Sequence, residues 1–352
     1  MSNIVHVVGT GTIGEPLIGL LADHREHFGI DEVTFHKRTP LITERSKVND
    51  LVGRGAALAV DADKRQAFEE LGHSPKYEAI EALERASVVI DCTPVGNKNK
   101  EELSQRLENP VGFMAQGSEF GFGKMYARGI NDTALVPGDD RYLHIVSCNT
   151  HNISVLIKTL AMDPDGTNHL VDGRFLCIRR ANDISQDEGF VASPTVDKHK
   201  DDRFGTHHAR DANALFATLG YDLNLYSSSL KLNTQYMHSI HFSLTLDEEM
   251  TLDEVKERLM SNARVAVTHK RSANQVFSFG RDHGYYGRIL SQTVVALDTL
   301  AVRNGNELVG FCFTPQDGNP LLSTVAAMLW YLDPESVDTK LDILRRYILR
   351  EV

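Results

Sequence analysis

A chain of 352 residues is too long for one ordinary core and predicts two domains. Its formal net charge of −11 repels polyphosphate at long range and argues against nucleic acid as the main partner. No apolar run reaches the length of a membrane span, and the opening MSNIVHVVGTGTIG has no basic leader, so a cytoplasmic protein without a membrane partner is expected.

From the N-terminus, residues 3–8 are apolar and β-branched and read as a strand. Gly9 to Gly14 form a turn, and 15–27 have helical spacing. Strands follow at Val33 to Phe35, Ala86 to Asp91, Gly112 to Gln116 and Leu143 to Ser147, with helices over 43–52 and 62–71. Such alternation implies a parallel sheet. After about residue 150 the pattern changes. A helix over 152–162 precedes a strand from Arg174 to Arg180 and a charged loop over 182–206. Strands are expected near 222–230, 236–246 and 307–313. A helix over 251–261 opens with Thr251 and Glu254 at capping-box spacing. Strands with few intervening helices suggest a mixed or antiparallel sheet, and the tail, 319–350, reads as helical.

Gly9-Thr10-Gly11-Thr12-Ile13-Gly14 lies between the first strand and the first helix and fits the dinucleotide fingerprint. Gly9 permits the tight turn, Gly11 lets a pyrophosphate approach, and Gly14 lets the helix pack on the strand. The helix N-terminus then offers free amides to the phosphates. At the end of the second strand stand Lys37 and Arg38, where a carboxylate would favour NAD. The expected cofactor is therefore NADP, with NAD also accepted. The expected fold class is α/β: a Rossmann dinucleotide-binding domain over 1–147, then an α+β catalytic domain over 148–318 with a mixed or antiparallel sheet.

Of the four cysteines, no two have metal-ligand spacing, and no metal is expected. Cys177 and Cys312 read as buried strand residues, and Cys92 as structural at a strand end. Cys148 differs, because a strand ends and a helix begins there, a position that lowers a thiol pKa. Its thiolate could attack an aldehyde, and hydride transfer to a nicotinamide would leave a thioester.

Several motifs together resemble the archaeal-type (class II) phosphorylating glyceraldehyde-3-phosphate dehydrogenases. They are the glycine turn, Asp91-Cys92-Thr93-Pro94, Gln116-Gly117-Ser118-Glu119, Ser147-Cys148-Asn149-Thr150, Arg179-Arg180-Ala181, His207-His208, Met237-His238 and Arg303-Asn304-Gly305. The resemblance implies oxidation of glyceraldehyde 3-phosphate to an acyl phosphate, with Cys148 as nucleophile and His238 as general base. His241 is the weaker stand-in. Asn149 would orient the thiohemiacetal or the nicotinamide. Thr93, Pro94, Gln116 and Gly117 would line the cofactor cleft, while Ser147, Thr150, His207 and His208 would lie near the phosphate sites. One of Arg179 and Arg180 would grip the substrate phosphate, with Arg180 slightly favoured. The resemblance also implies a homotetramer that uses a sugar phosphate and inorganic phosphate, and a C-terminal helix, 319–352, that returns to the first domain. After Thr150 this chain has His151-Asn152-Ile153-Ser154 where the family has threonine and glycine, so transfer of the acyl group to phosphate or to water stays open. Fold relatives that reduce other acyl phosphates, and a nucleotide-binding regulatory protein, are the alternatives.

Overall fold

The computed structural model describes residues 2–183, 189–290, 292–315 and 318–352. The chain divides into two units. One is Met1–Lys124 with Leu135–Ile145 and Ser323–Ile343; the other is Met125–Ala134 with Val146–Leu322 and Leu344–Val352. Residues 125–134 and 344–352 thus group with the second unit rather than the first.

In chain order the first elements are β1 (Ile4–Val8), α1 (Gly14–Asp23), α2 (Arg25–Phe28), β2 (Glu32–His36), α3 (Arg45–Gly53) and β3 (Ala57–Val60). Next come α4 (Arg65–Glu70), β4 (Tyr77–Glu78), α5 (Ala79–Arg85), β5 (Val88–Asp91), α6 (Gly96–Glu102), β6 (Gly112–Gly117), β7 (Lys124–Tyr126) and β8 (Tyr142–Val146). These strands form one eight-stranded sheet in the order β4-β3-β2-β1-β5-β6-β8-β7. From β4 to β6 neighbouring strands run parallel. Val5, Val7, Val33, Phe35 and Ile90 are fully buried, as expected of a parallel sheet covered on both faces. Val8 pairs with His36 on one side and Asp91 on the other, so the Gly9 turn, His36 and Asp91 share the C-terminal edge. Open parallel sheets bind ligands at that edge.

The second set is α7 (Cys148–Leu160), β9 (Leu170–Arg179), β10 (Thr195–Val196), α8 (His207–Ala217), β11 (Leu225–Lys231), β12 (His238–Leu246) and α9 (Leu252–Ser261). It continues with β13 (Val265–Thr268), α10 (Ala273–His283), β14 (Thr293–Arg303) and β15 (Glu307–Thr314). The seven strands form a mixed sheet ordered β10-β11-β9-β12-β15-β14-β13, with only β9–β11 and β13–β14 parallel. The fold is therefore α/β with a second, mixed sheet, as the sequence predicts. Cys177, Ile240 and Cys312 align across β9, β12 and β15 and are fully buried in the same core as Ile153, Leu156, Ile157 and Leu160 of α7.

Three expectations need correction. The helix expected from 152 begins at Cys148, because Ser147 caps it. The strand expected to reach Arg180 ends at Arg179. The tail breaks into α11 (Gly318–Leu332), α12 (Val337–Leu341) and short 3₁₀ turns, with Pro334 opening the first of them. Proline disfavours helix in the residue before it, which ends α11. Within the loop expected over 182–206, residues 184–188 lie outside the described residues, and β10 pairs with β11.

Candidate active site

Cys148 is the first residue of a 13-residue helix. The Ser147 backbone is extended, at φ −66° and ψ 161°, and its hydroxyl accepts from the Thr150 amide at 3.4 Å. The two hydroxyls of Ser147 and Thr150 also pair, at 2.9 Å. Ser147 and Thr150 therefore build the start of the helix, and Thr150 is fully buried. The N-terminal end of the helix dipole favours an anion at Cys148. The other thiols sit differently. Burial, followed by the nearby Asp91 carboxylate, pushes Cys92 well up, and burial pushes Cys312 up to about 12.

One residue on, Asn149 is buried, and its Oδ1 lies 3.2 Å from Nδ1 of His238, the first residue of β12. Burial first, then the charges of Arg180 and Arg179, lowers His238 to about 3. The ring is therefore neutral at physiological pH. Because β12 alternates its faces, His241 points the other way and packs edge-on against Phe311. It is not available as a stand-in for His238.

Arg180 is buried, and its guanidinium donates to Tyr236 O at 2.8 Å and to Asp183 Oδ1 at 3.2 Å. Tyr236 holds the left-handed conformation, at φ 83°, just before Met237-His238. Arg180 thus secures the strained backbone from which His238 projects. Arg179 differs: its side chain is 35% exposed and pairs with Asp197 at 2.9 Å. His207 and His208 open α8 with ring centroids 4.0 Å apart. Burial, then Arg179 and Arg210, lowers His207 to about 4. Burial, then His207, Arg179 and His238, lowers His208 well below its usual value. His208 is buried, and neither ring nitrogen has a hydrogen-bond partner among the described residues. Arg179, both histidines and the N-terminus of α8 offer one anion several donors.

The glycine turn forms as expected. Gly9 adopts φ +93°, and a Cβ at Gly14 would lie 2.0 Å from Gly9 O. Among the described residues nothing lies within 4 Å of where a Gly11 Cβ would be, so the backbone there is open to a ligand. Gly9, Thr10, Gly11, Lys37, Arg38 and Thr93 line a cavity of about 600 Å³, a volume that suits a nucleotide. Thr12, Ile13, Gly14, Pro94, Gln116 and Gly117 do not line it. Gln116 is buried and donates instead to the Thr324 hydroxyl at 3.0 Å. Unforeseen lining residues are His36, Glu44, Asp61, Asp91 and Asn99. Asp91 accepts from the Thr93 amide at 2.8 Å and from Asn99 at 2.7 Å, which fixes the Thr93-Pro94 loop.

No family model matches the chain. It is 28% identical over 270 residues to a glyceraldehyde-3-phosphate dehydrogenase of Methanobacterium formicicum, covering 74% of this chain and 72% of that one. The enzyme of that name from Pyrobaculum islandicum is 23% identical over 86% of this chain and 85% of its own. That of Methanobrevibacter smithii is 24% identical over 96% of each. The chain is a homologue of the archaeal-type glyceraldehyde-3-phosphate dehydrogenases.

The segment after Thr150 has a structural role. His151, Asn152, Ile153 and Ser154 are all buried in α7. The Asn152 amide donates to Thr314 Oγ1 at 2.8 Å and to Phe313 O at 3.2 Å, and its oxygen accepts from Thr293 Oγ1 at 3.0 Å. It ties α7 to β14 and β15.

Proposed function

We propose that this dehydrogenase homologue oxidises glyceraldehyde 3-phosphate to the acyl phosphate 1,3-bisphosphoglycerate, reversibly, through a thioester on Cys148. One observation carries the mechanism: the residue after Cys148 holds His238 through its Nδ1. In this reading the Cys148 thiolate, favoured by the start of α7, bonds to the aldehyde carbon, and the carbonyl oxygen takes a proton to give a thiohemiacetal. His238 Nε2 accepts that hydroxyl proton as the carbon gives up its hydride. The nicotinamide supplies the hydride acceptor when bound. An oxygen of inorganic phosphate then attacks the thioester carbon, and Cys148 Sγ leaves as a thiolate.

Arg179, with His207 and His208, is the better candidate for the substrate phosphate, because Arg180 is buried on Tyr236 and Asp183. The cofactor is NADP, with NAD also accepted. Support comes from Arg38, which lines the cavity exposed and without a hydrogen bond or ion pair among the described residues. We further propose a cytosolic homotetramer. No helix among the described residues is long and apolar enough to cross a membrane.

Purified protein given glyceraldehyde 3-phosphate and either dinucleotide, with and without phosphate, tests the proposal. Phosphate-dependent cofactor reduction is expected. Equal rates without phosphate would show hydrolysis of the thioester, and no reduction in any condition overturns the assignment. Full turnover by Cys148→Ala would overturn the catalytic assignment of Cys148.

A further inference from the structure

At one wall of the proposed dinucleotide cavity the charges clustered around Glu44 balance. Lys37, Arg38 and Lys47 stand among Glu15, Glu44 and Asp61. Glu44 is central. One carboxylate oxygen pairs with Lys37, and the other accepts from Lys47 at 2.9 Å. Lys47 also donates to Thr10 O at 3.2 Å and lies 3.5 Å from Glu15. Asp61 is held by His36 at 3.1 Å. The side chains of Lys37 and Glu44 are 12% and 27% exposed, so water screens their pairing only in part.

A ribose 2′-phosphate brings a charge of about −2 at neutral pH. A pocket selects it over a 2′-hydroxyl by net positive charge and by donors free to turn toward it. Here Lys37 is already paired with Glu44, and of these three cations Arg38 alone makes no hydrogen bond or ion pair among the described residues. We propose that Glu44 is a specificity residue of the cofactor site: by engaging Lys37 it holds back recognition of the 2′-phosphate, so that the pocket accepts both NADP and NAD. This rests on the dinucleotide reading above. Removing the Glu44 charge frees Lys37 beside Arg38 and leaves this cluster with a net positive charge.

Calorimetric binding of 2′,5′-ADP and 5′-AMP to the whole protein tests this without turnover. Glu44→Gln is expected to raise the affinity ratio of 2′,5′-ADP to 5′-AMP about tenfold, an effect that shrinks as salt rises. Lys37→Met alone is expected to change the ratio by less than about twofold, and in the Glu44→Gln background to remove the gain. An unchanged ratio in Glu44→Gln overturns the proposal. So does a loss of about fivefold or more in 2′,5′-ADP affinity from Lys37→Met alone, a result that stands even if Glu44→Gln does not fold. A wild-type protein that binds neither nucleotide nor either dinucleotide defeats the cofactor reading itself, a separate outcome.

Discussion

Asn149 Oδ1 accepts a hydrogen bond from His238 Nδ1 at 3.2 Å, and this contact fixes the state of the ring. An amide oxygen only accepts, so the proton sits on Nδ1 and the Nε2 lone pair is left for substrate. Asn149→Ala is expected to lower kcat by about tenfold or more with a smaller change in KM. Asn149→Asp places a carboxylate beside a histidine now lowered to about 3. That charge favours the imidazolium, so the acid limb of the pH–rate profile should move to higher pH. A profile unchanged by Asn149→Asp would show that the pair does not control the proton.

Substoichiometric iodoacetamide at neutral pH should label Cys148 first. Burial, helped by the neighbouring Cys312, pushes Cys177 up, and Cys92 and Cys312 are pushed up as well. Only Cys148 starts a long helix. Peptide mapping reads the outcome, and first labelling at Cys92 would refute the thiolate assignment.

Arg179 and Arg180 are adjacent yet should fail in different ways. Loss of a phosphate ligand raises KM, so Arg179→Ala is expected to raise KM for the aldehyde phosphate by about tenfold to a hundredfold. Arg180→Ala removes the donor on Tyr236 O and one donor on Asp183. It should lower kcat and thermal stability, at a cost of about 2–4 kcal/mol. Steady-state kinetics with melting curves separate the two, and a pure KM effect from Arg180→Ala would reverse the assignment.

These contrasts also mark where sequence reasoning stops. The glycine turn, the parallel strands and Cys148 at a strand end were legible, because each follows from local pattern. Strand β3 was not, since Ala57-Leu58-Ala59-Val60 is short and half alanine. Neither was α8, whose charged, histidine-rich start resembles a loop until Thr206 and Phe216 are seen buried. Which arginine is buried and which half-exposed depended on Asp197 and Tyr236, which lie far away in sequence. The Glu44–Lys37 pair is equally invisible without the fold, because seven positions separate the residues along the chain and no helix spans both.

Stability should fall on mild acidification. Burial, with the His36 charge second, lowers His6 to about 3; His238 is lowered to about 3 and His207 to about 4. Their folded pKa values lie below the unfolded value of 6.5. Between those limits the unfolded chain binds more protons, so stability falls as pH drops from about 6.5 toward 3–4. Above 6.5 these groups contribute no slope. Each adds up to about 1.4 kcal/mol per pH unit inside the window. Urea titrations at neutral and mildly acidic pH measure it, and His207→Gln should flatten the slope. Equal stability across the window would mean that these rings are protonated in the fold.

The face of the mixed sheet opposite its core offers the proposed tetramer its test. Leu176, His241 and Phe311 align across β9, β12 and β15, on the opposite face from the buried row of Cys177, Ile240 and Cys312. Phe311 is 36% exposed. Burying such a ring against a second copy stabilises association by about 1.5–3 kcal/mol for each copy. A carboxylate there would have to be desolvated instead. Phe311→Asp is therefore expected to give a smaller species in sedimentation velocity, with an unchanged far-ultraviolet circular dichroism spectrum. A variant that still sediments as the wild-type oligomer would remove this face from the interface.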